Sequence, residues 1–293
     1  MGFAAIATSD LTKHYGKLAA LEALDLEVQR GTIFGFLGPN GSGKTTTIRL
    51  LLGFARPTRG HAEILGLSAA DVAHTHRHLG YVPGEVALWP QLTGDEVLRL
   101  LGNITGWVDA EFRSELIERF HIDPSVRVRS MSKGNRQKIA LVAALMSRPE
   151  VLLLDEPTAG LDPLMEAQFQ IVARDAAARG QTVFLSSHIL DEVQDLCDRV
   201  GILRAGRLVE VADLADLRRI STTIVDAVID GEPPMLEGIP GVTGVEPIVG
   251  VPGGIRITLS GPPDALIRRL AAHRVVRLRT VEPSLEEIFL TYY

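Results

Sequence analysis

Gly38-Pro39-Asn40-Gly41-Ser42-Gly43-Lys44-Thr45 is the stretch on which the fold turns. It fits the pattern of a glycine, four residues of any kind, then Gly-Lys and Ser or Thr. It stands between a continuous apolar run, Ile33–Leu37 (IFGFL), and a helical pattern, Thr46–Leu52. Strand, glycine-rich turn and helix in that order make a loop whose backbone N–H groups converge on a phosphate. The start of the helix adds partial positive charge. Lys44 supplies a mobile point charge for the β- and γ-phosphates. The Thr45 hydroxyl is placed to ligate Mg2+, and Thr46 is available to the α-phosphate. The loop predicts a nucleoside triphosphate, carried with Mg2+, as ligand.

Working outward, Val151-Leu152-Leu153-Leu154 is a second apolar run, and it ends in Asp155-Glu156. Ligands of open α/β sheets lie beyond the carboxyl ends of the strands, so both acids are expected near the phosphate loop. Asp155 then binds Mg2+, directly or through water, and Glu156 polarises the attacking water as general base. Further short strands are expected at Ala4–Thr8, Leu24–Val28, Gly80–Val82, Thr182–Leu185 and Val200–Leu203. Runs that are apolar throughout suit strands buried on both faces, hence a largely parallel sheet flanked by helices. Between Gly84 and Pro149 the texture is helical. Thr93-x-x-Glu96 is a capping box. Phe112, Leu116, Ile117 and Phe120 share one helical face, and Ser132 can cap a third helix. The fold class expected is therefore α/β, a P-loop NTPase core of mixed sheet with a helical subdomain at about 84–149.

After about Ile220 the pattern changes. Thr223–Ile229, Val245–Val249 and Ile255–Leu259 read as strands between Gly- and Pro-rich turns, Pro263–His273 as a helix, Val275–Thr280 as a strand and Ser284–Tyr292 as a closing helix. The expected organisation is residues 1–220 as one nucleotide-binding domain and 221–293 as a small α+β accessory domain, with no internal repeat. The formal net charge of −6 argues against a dedicated nucleic-acid binder. The longest apolar stretches, Ile139–Met146 and Val151–Leu154, fall far short of the roughly 18–20 residues that span a bilayer. The N-terminus lacks the pattern of a signal peptide. Ile6 stands where myristoylation wants Ser or Thr. The single cysteine, Cys197, can make no internal disulfide and is expected to be a buried small hydrophobe. A cytosolic chain is expected.

Three further segments carry a resemblance. Pro157-Thr158-Ala159-Gly160-Leu161-Asp162-Pro163 resembles the D-loop of ABC ATPases, and Met131-Ser132-Lys133-Gly134-Asn135-Arg136-Gln137 resembles their signature sequence. Ser186-Ser187-His188 stands where that family has its switch histidine. The resemblance covers residues 1 to about 220. It implies two subunits dimerised head to tail, with each ATP held between the phosphate loop of one and the signature of the other. Ser132 and Gly134, with Asn135 beside them, would contact the nucleotide across that interface. His188 would contact the γ-phosphate, Tyr15 would stack on adenine, and Asp162 would communicate between the two sites.

The sequence also departs from the family pattern. Lys133 and Asn135 replace a glycine and a glutamine of the signature. Gly84 aligns with the Q-loop glutamine, so that side-chain contact is absent, or is made by water or Glu85. Pro283–Leu290 resembles the end of ATPase subunits of the ABC-2 exporter type, drug and antibiotic exporters among them. The expected function is thus the ATPase subunit of an exporter, with a separate permease as membrane partner and a peripheral place on the cytoplasmic face of the membrane. A soluble ABC protein acting on ribosomes or DNA, or an importer ATPase, is the alternative. Val86, Leu88 and Trp89, in a loop bent at Pro90, are expected to receive the permease.

Overall fold

The structure is a computed structural model that describes residues 4–214 and 223–281. The chain divides into two compact units, Met1–Ala212 and Asp213–Tyr293.

In the first unit, strands β1 (Ile6–Tyr15) and β2 (Leu18–Val28) form an antiparallel hairpin. β4 (Arg59–Ile64) and β5 (Leu67–Ser68) extend it to a four-stranded sheet in the order β2-β1-β4-β5. Apolar and polar residues alternate along β2 (LEALDLEV), as suits a strand with one buried face. The remaining strands are β3 (Ile33–Leu37), β6 (Leu79–Val82), β7 (Val151–Asp155), β8 (Thr182–Ser187), β9 (Arg199–Arg204) and β10 (Arg207–Asp213). They form a second sheet, β10-β9-β3-β8-β7-β6. The pairs β9–β3, β3–β8, β8–β7 and β7–β6 are parallel. Ala205 and Gly206, both at positive φ, turn β9 back into β10. β3, β7 and β8 are buried at every position, as suits their apolar runs, and the burial extends to Asp155, Thr182, Ser186 and Ser187 at the strand ends. The rings of Phe34 and Phe184 stack at 5.8 Å in this core.

The helices of the unit begin with α1 (Lys44–Leu51), which leaves the phosphate loop, and a single turn α2 (Val72–Thr75). α3 (Gly94–Thr105), α4 (Ala110–Arg119) and α5 (Lys133–Leu145) lie between β6 and β7, and α6 (Pro163–Ala178) and α7 (Leu190–Leu196) follow β7 and β8. Both arms of the capping box are made: Thr93 N–H donates to Glu96 Oε2 at 2.8 Å, and Glu96 N–H donates to Thr93 Oγ1 at 3.2 Å. Phe112 and Leu116 of α4 are buried, as is Phe120 just past its end, while Ile117 is half-buried. The Arg148 guanidinium lies 4.0 Å over the Phe112 ring. Cys197 is buried beneath β3, near Gly35, and burial pushes its thiol pKa up, so it behaves as an inert hydrophobe.

The second unit is an antiparallel sheet of β11 (Thr223–Ile229), β12 (Val242–Pro247), β13 (Gly254–Leu259) and β14 (Val275–Val281) in the order β12-β13-β11-β14. Helix α8 (Asp264–Ala271) buries Leu266 and Leu270 in a core shared with Val225, Ala227, Ile257 and Leu259. β12 lies earlier than the apolar run Val245–Val249 suggests. Pro247 pairs with Ile255, the chain then turns through Gly250 at positive φ, and Val249 stands fully in solvent. The closing helix expected at Ser284–Tyr292 lies outside the described residues. Among the described residues no helix is long and apolar enough to cross a membrane.

Candidate functional site

The loop between β3 and α1 owes its shape to glycines. Gly41 (φ +81°) and Gly43 (φ +114°) occupy conformations that L side chains avoid. A Cβ on Gly43 would fall 2.5 Å from the Ala20 carbonyl oxygen, and one on Gly38 would fall 2.3 Å from that of Leu203. Lys44 is buried, with Nζ folded over the loop to donate to the carbonyls of Gly38 at 2.6 Å and Pro39 at 3.2 Å. Burial lowers its pKa, against the pull of the Glu156 and Asp155 carboxylates. Ser42 Oγ is buried with no hydrogen-bond partner among the described residues. An orphaned buried hydroxyl in such a loop fits a missing anionic acceptor.

A cleft of about 300 Å³ opens over this loop. Asn40, Gly41, Gly43, Lys44, Thr45 and Thr46 line one side, Tyr15, Leu18, Ala19 and Ala20 the other, and Glu156 also reaches it. The Tyr15 ring is exposed, with Lys13 Nζ 4.8 Å from its centroid. A second cavity of about 320 Å³, near Leu11, Gly53 and Val72, includes none of the phosphate-loop residues.

The acids at the end of β7 are held by β8. Asp155 is buried, and its Oδ1 accepts from Ser186 Oγ at 2.5 Å. Glu156 adopts a left-handed backbone at φ +47°, which costs a non-glycine residue about 1–2 kcal/mol. Strain of this kind persists where surrounding structure fixes it, and it clusters at functional sites. Glu156 N–H is fixed by the Ser186 carbonyl at 3.1 Å, and its Oε1 lies 3.0 Å from His188 Nδ1. An ionised carboxylate only accepts, so His188 donates from Nδ1 and keeps Nε2 for another group. Gly84, just past β6, borders the Asp155 carboxylate: a Cβ there would sit 3.4 Å from Asp155 Oδ2.

The signature residues lie apart. Ser132, Gly134 and Asn135 do not line the cleft, and Ser132 and Asn135 are exposed. Ser132 caps α5, accepting from Asn135 N–H at 3.1 Å, which leaves its own proton free to donate outward. Gly134 packs against the loop after β7, where a Cβ would meet the Gly160 carbonyl at 2.5 Å. Asp162 caps α6 by accepting from Met165 N–H at 3.1 Å, with Pro163 at the first helical position. Two features escape sequence reading. Gln137, an amide on a buried helix face, donates to the Pro157 carbonyl at 2.9 Å. Glu192 takes hydrogen bonds from Thr158 at 2.8 Å and Ser187 at 2.9 Å, joining the loop after β7 to the end of β8. Gln137 carried a signal only as the last residue of the signature-like segment Met131–Gln137; Glu192 carried none.

A family model described as ABC transporter matches residues 21–159. The chain is 36% identical over 306 residues to the daunorubicin resistance ATP-binding protein DrrA3 of Streptomyces coeruleorubidus, covering 99% of this chain and 96% of that protein. With the linearmycin resistance ATP-binding protein LnrL of Bacillus subtilis it shares 30% identity, over 96% of each. With the Probable multidrug ABC transporter ATP-binding protein YbhF of Escherichia coli it shares 35% over 74% of this chain, but it spans only 38% of YbhF. A solved ATP-binding subunit of an ABC transporter matches at TM-score 0.68 and 33% identity, over 73% of this chain and 92% of that one. A dimeric ATP-binding cassette, MJ0796, bound to ADP and phosphate has the same fold at TM-score 0.65 and 23% identity. The chain belongs to the ABC transporter family.

Proposed function

We propose that this chain is the ATP-hydrolysing subunit of an exporter. The observation that carries the reading is a single cleft that gathers the phosphate loop, Lys44 and Glu156, with Glu156 joined to His188 at 3.0 Å. Backbone N–H groups of the loop and Lys44 hold the β- and γ-phosphates, and Tyr15 offers a face to adenine. Glu156 takes a proton from the water that attacks the γ-phosphate. His188, oriented by Glu156, meets the charge that develops there. The Thr45 hydroxyl and Asp155 carboxylate are hard oxygen donors of the kind Mg2+ takes together with substrate phosphates. No cluster of three His, Cys, Asp or Glu exists among the described residues to form an all-protein cage. Mg2+, when bound, supplies charge neutralisation on the phosphate oxygens.

Head-to-tail pairing with a second copy would complete the site. Ser132, Gly134 and Asn135 stand at the start of α5, whose partial positive charge suits a γ-phosphate approaching from outside the subunit. Asp162, beside that interface, would pass the state of one site to the other. In a mixture of Lys44→Ala and Ser132→Arg subunits, one composite site carries both defects and the other is intact. Partial recovery of ATP-driven dimerisation, measured by size, is expected; no recovery at any ratio argues for sites formed within one chain.

The exporter assignment draws on the resistance proteins among the relatives. The transmembrane path then belongs to a separate permease, and this chain sits peripherally on the cytoplasmic face of the membrane. Trp89 is 48% exposed beside half-buried Val86 and Leu88, a surface of the kind that anchors interfaces. Covering one such side chain is worth about 1.5–3 kcal/mol. Trp89→Ala is expected to reduce co-purification with the permease while the isolated subunit still folds and binds ATP. Unfolding of that variant would make Trp89 a core residue instead.

A further inference from the structure

Asp155 and Glu156 belong to β7 and the turn after it, yet what holds them comes from β8. Ser186 is the register partner of Asp155 in the parallel pair, and it is wholly buried. Its hydroxyl donates to Asp155 Oδ1 at 2.5 Å and accepts from Glu156 N–H at 3.2 Å. A hydroxyl with one proton and two lone pairs can make both bonds at once. Successive residues of a strand point to opposite sides. Ser187 accordingly turns away to Glu192, and His188 returns on the side of Ser186 to meet Glu156.

We infer that Ser186 is a positioning residue for the hydrolytic centre: its hydroxyl selects which oxygen of Asp155 faces the metal, and it holds the left-handed turn that aims Glu156. This rests on the roles given to Asp155 and Glu156 above. A hydroxyl donating to a carboxylate makes a charge-assisted, directional bond. It occupies Oδ1 and leaves Oδ2, the oxygen on the side of Gly84. The terminal torsion of an aspartate is broad and two-fold, so without the hydroxyl the two oxygens can exchange places. Glu156 N–H would keep only the Ser186 carbonyl, and its strained backbone would lose one of the hydrogen bonds that pin it.

The test uses the full chain with ADP and Mn2+, read by electron paramagnetic resonance, alongside steady-state hydrolysis. Ser186→Ala is expected to weaken Mn2+ binding in the ADP complex roughly tenfold or more, the worth of a hydrogen bond to a charged group. Its kcat should fall, with affinity for metal-free ADP unchanged. Ser186→Thr, which keeps the hydroxyl, should recover metal binding; a threonine variant that folds yet is as defective as alanine counts against the hydroxyl. Ser187→Ala removes the neighbouring hydroxyl on the opposite side and should leave Mn2+ affinity as in wild type. A purely structural role would lower the unfolding temperature of Ser186→Ala without moving Mn2+ affinity, and that result overturns the inference. Should Ser186→Ala fail to fold, Ser186→Cys, a weaker donor of similar size, is expected to show the same loss, and wild-type affinity there overturns it equally. Asp155→Asn separates the levels. If it retains Mn2+ binding, the metal assignment itself fails. If it loses binding while Ser186→Ala does not, only the role of Ser186 fails.

Discussion

Glu156→Gln subunits are expected to bind MgATP and to hydrolyse it roughly 10²–10⁴-fold more slowly than wild type, the span attributed to a positioned general base. The amide keeps the size and the turn of the side chain but cannot take a proton from water. Its oxygen can still accept from His188 Nδ1, now 3.0 Å from Glu156 Oε1, so the site should stay assembled while the chemistry stalls. Because ATP then persists, the ATP-bound pair of subunits should accumulate and be visible as a dimer by size exclusion or light scattering. A Gln variant that turns over at the wild-type rate would remove Glu156 from the mechanism. One that binds ATP and stays monomeric would remove the head-to-tail pairing.

Lys44→Ala is expected to abolish measurable hydrolysis and to weaken ATP binding by roughly ten- to a hundredfold, the worth of one hydrogen bond to a charged group. Two effects add. The phosphates lose their cation, and the carbonyls of Gly38 and Pro39 lose the ammonium that now bonds them at 2.6 and 3.2 Å. A titration of ATP by calorimetry or fluorescence separates the variant from wild type, and an unfolding curve without nucleotide measures the second effect alone. Wild-type turnover in Lys44→Ala would sink the assignment of the loop.

The phosphate loop and the acidic strand end could be read from sequence because their chemistry is local. Gly38, Gly41 and Gly43, with Lys44 and Thr45, sit within one turn, and the apolar run before Asp155 announces a buried strand. The antiparallel sheet was harder to see. β4 (RGHAEI) is polar and exposed over half its length, and it exists because β1 offers it a partner. In the second unit, an apolar run misplaced β12, since Val249 lies in a turn and hydrophobicity does not distinguish a turn from a strand. The grip of Ser186 on Asp155 depends on the register of strands 31 residues apart in sequence, and local pattern carries no register between parallel strands. Asp162 shows the converse. Its capping of α6 follows from Asp-Pro ahead of a helix, and that local role is met whether or not a second subunit is present.

The close approach of Gly134 to the Gly160 carbonyl has a mechanical meaning. With no room for even a methyl group between them, the head of α5 and the loop that begins at Glu156 cannot slide past each other. Gln137, one turn further along, pins the same helix to Pro157. A push on Ser132 from outside the subunit would therefore bear, through contacting backbone, on the loop that leads back to Glu156, the proposed general base. In the proposed dimer, recognition of a neighbour and readiness to hydrolyse would then be two ends of one lever.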